Sequence, residues 1–177
     1  MEEQQPEFID SNAFVIGMLI ALILMGAYFL YLYLRHRRAA DATVEADEIR
    51  QILQAHFAYY RALSAKDRDS FVRRVARFIS LKSFIPRMFK VVTPEMKVLI
   101  SAAAVQLTFG LPEICLQHFR RIIIYPDAYY STVTKQMHKG EVNPQAGAIV
   151  LSWKSFLSGY AHPDDSYNLG LHEMAHA

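Results

Sequence analysis

Ala148-Ile149-Val150-Leu151-Ser152-Trp153 is a short run of mostly branched and bulky side chains, entered through Asn143-Pro144 and Gly147. Turn formers at its entrance, and a length below that of an ordinary helix, predict a strand. Ile122-Ile123-Ile124-Tyr125, closed by Pro126, reads the same way. Between these two strands lie about twenty polar residues with no clear period, read as a connection.

Upstream the pattern is helical. Ile49, Ile52, Leu53, Phe57 and Tyr60 recur at three- and four-residue spacing and predict one apolar stripe. Ser64, with Asp67 three residues on, resembles a capping box. A second stripe follows: Phe71, Val72, Val75, Phe78 and Ile79. Arg68, Arg73, Arg74 and Arg77 accompany it, readable as a phosphate or lipid patch and more plainly as a solvated face. Thr93-Pro94-Glu95 is a helix start, with a hydroxyl cap, proline at the first helical position and an acid near the positive dipole end. Leu99 to Leu107 is nearly all small or apolar, so that helix is expected to be buried on most sides. Gly110 and Pro112 stop it. Helices first and strands later, without regular alternation, predict an α+β fold.

Composition narrows the function classes. The chain has 177 residues, 53% of them hydrophobic, and only seven Gly and seven Pro, which excludes a disordered or collagen-like chain. The single Cys115 excludes an internal disulfide framework and a Cys-rich zinc module. A net charge of +2 gives no case for nucleic acid.

The last seven residues carry the chemistry: Leu171-His172-Glu173-Met174-Ala175-His176-Ala177. On a helix, positions i and i+4 lie one above the other, about 6 Å apart. Two imidazoles so placed, His172 and His176, can converge on one Zn2+ with Zn–N near 2.0–2.1 Å. Glu173 projects from a neighbouring angle and reaches metal-activated water as a general base without ligating the ion. The same carboxyl can then pass the proton to a leaving amine. Two satisfied surface histidines are the bland alternative. Asp164, Asp165 and Ser166 are cap candidates for this helix. Gly170 inside it costs about 1 kcal/mol relative to alanine, which the close approach of another backbone or of a substrate, or simple packing, would explain. His118 and His138 lie far upstream with nothing to mark them as ligands, and His56 falls on an apolar stripe as a core histidine would.

Taken together, Gly147-Ala148-Ile149-Val150-Leu151-Ser152-Trp153, Gly159, Asp164, Asn168 and His172-Glu173-Met174-Ala175-His176 resemble the Mlc titration factor A family of zinc metallopeptidases. Phe57-Ala58-Tyr59-Tyr60 with Leu63, Phe71 and Arg74 are similar too, as are Phe78-Ile79, Leu107-Thr108-Phe109-Gly110-Leu111 and Ile122-Ile123-Ile124-Tyr125-Pro126. The likeness runs from about Ile49 to the last residue. It implies a mainly helical, zincin-like domain with a small β-sheet and a C-terminal His-Glu-x-x-His helix that follows the last strand across a short loop. It also implies one Zn2+ per chain, His172 and His176 as ligands, Glu173 as base, and a peptide or protein substrate. Founding members are soluble and also bind a sugar-responsive transcriptional regulator, a partner the resemblance alone suggests here. The family's third ligand is a Glu on a later helix, whereas this chain ends one residue after His176, so the expectation is an incomplete piece of such an enzyme. His162, Asp164, Asp165 and the Ala177 carboxylate are weak substitutes. For substrate contact we expect Ile149, Leu151 and Trp153, through strand addition to Ala148–Trp153. Asn168 is expected to support a metal-binding imidazole.

Phe14 to Leu34 contains no charged side chain over 21 positions, which spans roughly 30 Å as a helix and matches a bilayer's hydrocarbon core. Glu2, Glu3, Glu7 and Asp10 precede it, unlike the basic start of a cleaved signal peptide. Arg35, His36, Arg37 and Arg38 follow it. This asymmetry predicts a single-pass protein of the inner or plasma membrane, N-terminus outside and domain in the cytoplasm, where a lone thiol is at home. The expected organisation is an acidic N-terminus over 1–13, a bilayer-spanning helix over 14–34, a basic linker over 35–46 and the peptidase domain over 47–177. The competing reading is a non-catalytic, membrane-tethered binding or regulatory protein derived from a peptidase.

Overall fold

The structure, a computed structural model, describes residues 11–40, 44–112, 116–131, 134–161 and 168–177, with side chains over 14–32 of the first helix. Cys115, His162, Asp164, Asp165 and Ser166, and the side chains of Arg35 to Arg38, lie outside the described residues. The chain divides into two units, Met1–Ala39 and Ala40–Ala177.

α1 (Ser11–Ala40), a longer helix than the uncharged run by itself, belongs to the first unit in all but its last residue. Over Phe14–Leu32 it is long and apolar enough to cross a bilayer, with no part of that window buried in protein.

The second unit is α+β. Its first apolar stripe forms two helices, α2 (Ala46–His56) and α3 (Ala58–Ala62), where one was expected. Phe57 between them is extended, with φ −123° and ψ 97°. Its ring is buried and packs on Phe71 and Tyr160, with centroids 6.1 and 5.1 Å away. The break exposes carbonyls at the end of α2, and Arg61 Nη1 donates to two of them, Gln54 O and Ala55 O, at 3.2 Å each. His56 is exposed on α2, against the expectation of a core histidine.

In α4 (Ala65–Leu81), Ser64 Oγ accepts from Asp67 N at 3.2 Å and donates to its carboxylate at 2.7 Å, as the capping signal predicts. The arginines on this helix are not one free basic patch. Arg68 donates to Leu63 O and Arg61 O, and Arg74 to Thr108 O and Leu111 O, so both hold neighbouring segment ends. Thr93 Oγ1 caps α5 (Pro94–Thr108) by accepting from Met96 N at 3.2 Å. Val98 to Val105 of α5 are all buried, so this helix runs through the core.

Among the described residues the strands are β1 (Ser83–Pro86), β2 (Arg121–Tyr125), β3 (Tyr129–Tyr130), β4 (Met137–His138), β5 (Gly140–Asn143) and β6 (Ala148–Ser152). The main sheet has the order β1-β2-β6-β5, with the first three parallel and β5 an antiparallel edge. β3 and β4 form a separate antiparallel pair. The polar connection therefore carries three strands that its sequence does not announce. β6 is buried along its whole length and paired on both sides, consistent with its continuous apolar run. It ends at Ser152, one residue earlier than expected. Ser152 Oγ accepts from Ser155 N at 3.2 Å, and Trp153 opens a further helix, α6 (Trp153–Ala161). The last helix, α7 (Leu169–His176), packs against α5, α6, β5 and β6. A nine-residue helix thus lies between the last strand and α7, in place of a short loop alone.

Candidate metal centre

The site is built on α7. Asn168 starts this helix: its Oδ1 accepts from Leu171 N at 3.0 Å, and its amide nitrogen donates to Gly159 O at 3.3 Å. The side chain expected to support an imidazole is instead a helix cap that ties α7 to α6. Leu169, Gly170, Glu173 and Met174 face the interior, while His172 and His176 are exposed. Gly170 admits Phe156, since a Cβ there would stand 2.5 Å from the ring's Cε2.

His172 and His176 turn their Nε2 atoms together at 3.2 Å, with ring planes at 86°. Two nitrogens bound at 2.0–2.1 Å to one tetrahedral ion stand about 3.3 Å apart, so this pair has the spacing of two ligands of one zinc. Among the described residues, no group of three or more His, Cys, Asp or Glu side chains is placed to hold a metal ion. The histidine pair therefore fits two positions of a zinc shell, and the described residues do not complete it.

Glu173 sits on the buried side of the pair, 5% exposed. Burial holds its carboxyl above the ordinary carboxylate range; His172, His176 and His138 act against that shift and Glu141 adds to it. On β5, Gly140 lies so close that a Cβ there would be 2.6 Å from Glu173 Cγ and Cδ. Tyr129 is buried nearby, its hydroxyl without a hydrogen-bond partner among the described residues. Burial first, then the Glu141 and Glu173 carboxylates, push this phenol up. Tyr129 pairs with His138 across the β3–β4 ladder, and His138 Nε2 lies 2.6 Å from Thr134 Oγ1.

Gly140, Glu141, His138 and Tyr129 were not read as site residues from sequence. A glycine ahead of Glu141-Val142 was the available signal, and in a polar stretch it is indistinguishable from a turn residue. His118 lies apart from the histidine pair in its bonding, with Nε2 2.7 Å from Pro144 O. Ile149 and Leu151 are fully buried in β6, and both edges of that strand are occupied. Strand addition at β6 is therefore blocked, and those two side chains are core. Trp153 stacks on Phe156 at 5.4 Å and 13° as the first residue of α6.

Residues 32–177 match the family described as glucose-regulated metallo-peptidase M90. An uncharacterized curated protein of Synechocystis sp. is 26% identical over 136 residues, which cover 71% of this chain and 50% of that protein. The chain spans about half the length of the curated relative it matches. With the family match extending over most of its length, the chain belongs to this metallopeptidase family.

Proposed function

From that membership we propose that the chain carries the zinc-binding part of a peptide hydrolase, with His172 and His176 as metal ligands and Glu173 as general base. The observation that carries this reading is the 3.2 Å Nε2 pair beside a buried carboxylate on the same helix. Zinc, when bound, supplies Lewis acidity that lowers the pKa of water and polarises a carbonyl. The protein's own part is proton handling. Glu173 Oε takes a proton from the attacking water and returns it to the amine that leaves as the C–N bond breaks. Its raised proton affinity, caused by burial, suits a group that must both accept and donate near neutrality.

Substrate alignment belongs to β5. Ser152 N donates to Lys139 O at 2.7 Å, and the pairing steps on through Glu141↔Val150 and Asn143↔Ala148. Residues between these pairs, Gly140 and Val142, turn their N–H and C=O to the outer edge. An extended peptide added there runs alongside Glu173. Apolar α1 supports an anchor in a bilayer, and the acidic-before, basic-after charge pattern supports an outside N-terminus and a cytoplasmic catalytic unit.

The test uses the full-length protein and peptide arylamides. Glu173→Gln is expected to cut hydrolysis by about 10²–10⁴-fold with zinc retained; unchanged hydrolysis removes Glu173 as the base. The second reading is a membrane-tethered binding protein without turnover, derived from a peptidase. Metal analysis separates the two. Stoichiometric zinc that His172→Ala abolishes supports the enzyme, and zinc in neither protein supports the binder.

A further inference from the structure

We propose that Gly140 is a positioning residue for the Glu173 carboxylate: its missing side chain is the space in which that carboxylate is held against the edge of β5. The inference rests on the peptidase reading and concerns how its base is placed.

A glycine inside a strand calls for a reason, because it packs nothing and costs conformational entropy. Backbone conformation is not the reason here. Among the glycines only Gly147 takes a positive φ, so an L side chain at position 140 meets no strain of its own. Space is the reason. A methyl group at 140 would be 2.6 Å from both Cγ and Cδ of Glu173, and nearer still to Oε1. A collision with Oε1 alone could be relieved by turning the tip of a flexible side chain. Overlap with Cγ and Cδ cannot, so the whole carboxylate has to leave the strand. Glu173 has little room to do so on its own helix, where Leu169, Gly170 and Met174 are buried with it.

The placement matters because Gly140 is also one of the two β5 residues whose backbone faces outward. The carboxylate is therefore packed on the very residue that would hydrogen-bond an added peptide. The strand's edge and the base are set at one distance by van der Waals contact. Any side chain at 140 changes that distance without touching the histidines.

The experiment uses the full-length protein. Gly140→Ala is expected to lower kcat on a peptide arylamide at least tenfold, with KM within about twofold and zinc content unchanged; a merely structural lesion would not respect that split. Thermal unfolding is measured in parallel for wild type, Gly140→Ala, Glu173→Ala and the double variant. Alanine at 140 is expected to lower Tm by roughly 2–6 °C in the wild-type background and by nothing measurable once Glu173 is truncated. Should Gly140→Ala fail to fold, the double variant is expected to restore folding. An active wild-type protein whose kcat is unmoved by Gly140→Ala, or a Tm loss that persists beside Glu173→Ala, overturns the inference and leaves the peptidase reading intact. A wild-type protein that holds no zinc and hydrolyses nothing overturns the peptidase reading, and with it any catalytic meaning of Gly140.

Discussion

Replacing Gly170 by alanine sets two effects of known size against each other. Alanine is the better helix former, worth about 1 kcal/mol over glycine inside a helix. Position 170 is the second residue of α7, so that figure is an upper bound there, and propensity alone still predicts a more stable protein. Packing predicts the reverse. The added Cβ would stand 2.5 Å from Phe156 Cε2 and 3.0 Å from Cδ2. Ordinary carbon contacts are about 3.5–4.0 Å, so the ring has to withdraw by about 1 Å. It has no slack: Phe156 is fully buried, stacked on Trp153 at 5.4 Å and packed on Tyr160 at 5.0 Å. Overfilling a packed core costs about 1–3 kcal/mol. The expected balance is a loss of roughly 1 kcal/mol, a Tm lower by about 2–4 °C for a chain of this size. Trp153 is the only tryptophan and touches the displaced ring, so its fluorescence reports both the unfolding and the local repacking. In a Phe156→Leu background the same glycine substitution is expected to be neutral or stabilising, because the colliding ring atoms are gone. A rise of 2 °C or more for Gly170→Ala in the otherwise native chain would refute the reasoning, since propensity would then have won.

Two further outcomes follow from α7. Asn168→Ala removes the cap on Leu171 N and the tie to Gly159, and is expected to cost about 1 kcal/mol by denaturant unfolding, with Asn168→Asp losing less than half of that. Glu173 makes stability fall with rising pH. Its folded-state pKa lies above the unfolded value near 4.5, so the folded chain holds the proton more tightly and loses stability as pH climbs from the unfolded pKa through the folded one. Glu173→Gln is therefore expected to be the more stable protein at neutral pH, the difference closing below about pH 4, in denaturation series at stepped pH. A stability difference that stays flat with pH would show that the carboxyl is not desolvated.

What could be read along the chain was local. The Ser64 and Thr93 caps work through residues three positions away, and their hydrogen bonds form where the sequence puts them. The branched runs of β2 and β6 and the mostly small and apolar run of α5 carry enough burial to declare themselves. The i, i+4 pairing of His172 and His176 follows from helical geometry alone. Phe57 defeats the same kind of reading: its spacing continues a helix, yet its backbone is extended and its buried ring packs on Phe71 and Tyr160.

Sequence by itself thus determined the α+β class, the apolar N-terminal helix, and the motif that points to a metallopeptidase. Only the tertiary structure decided that β6 is central and β5 an edge strand, that Trp153 begins a helix, and that Gly140 lies against Glu173. The physical reason is that a strand of only two to four residues such as β3, β4 or β5 has almost no stability of its own. It exists because distant partners complete its hydrogen bonds, and those partners are named by the fold and not by neighbouring residues.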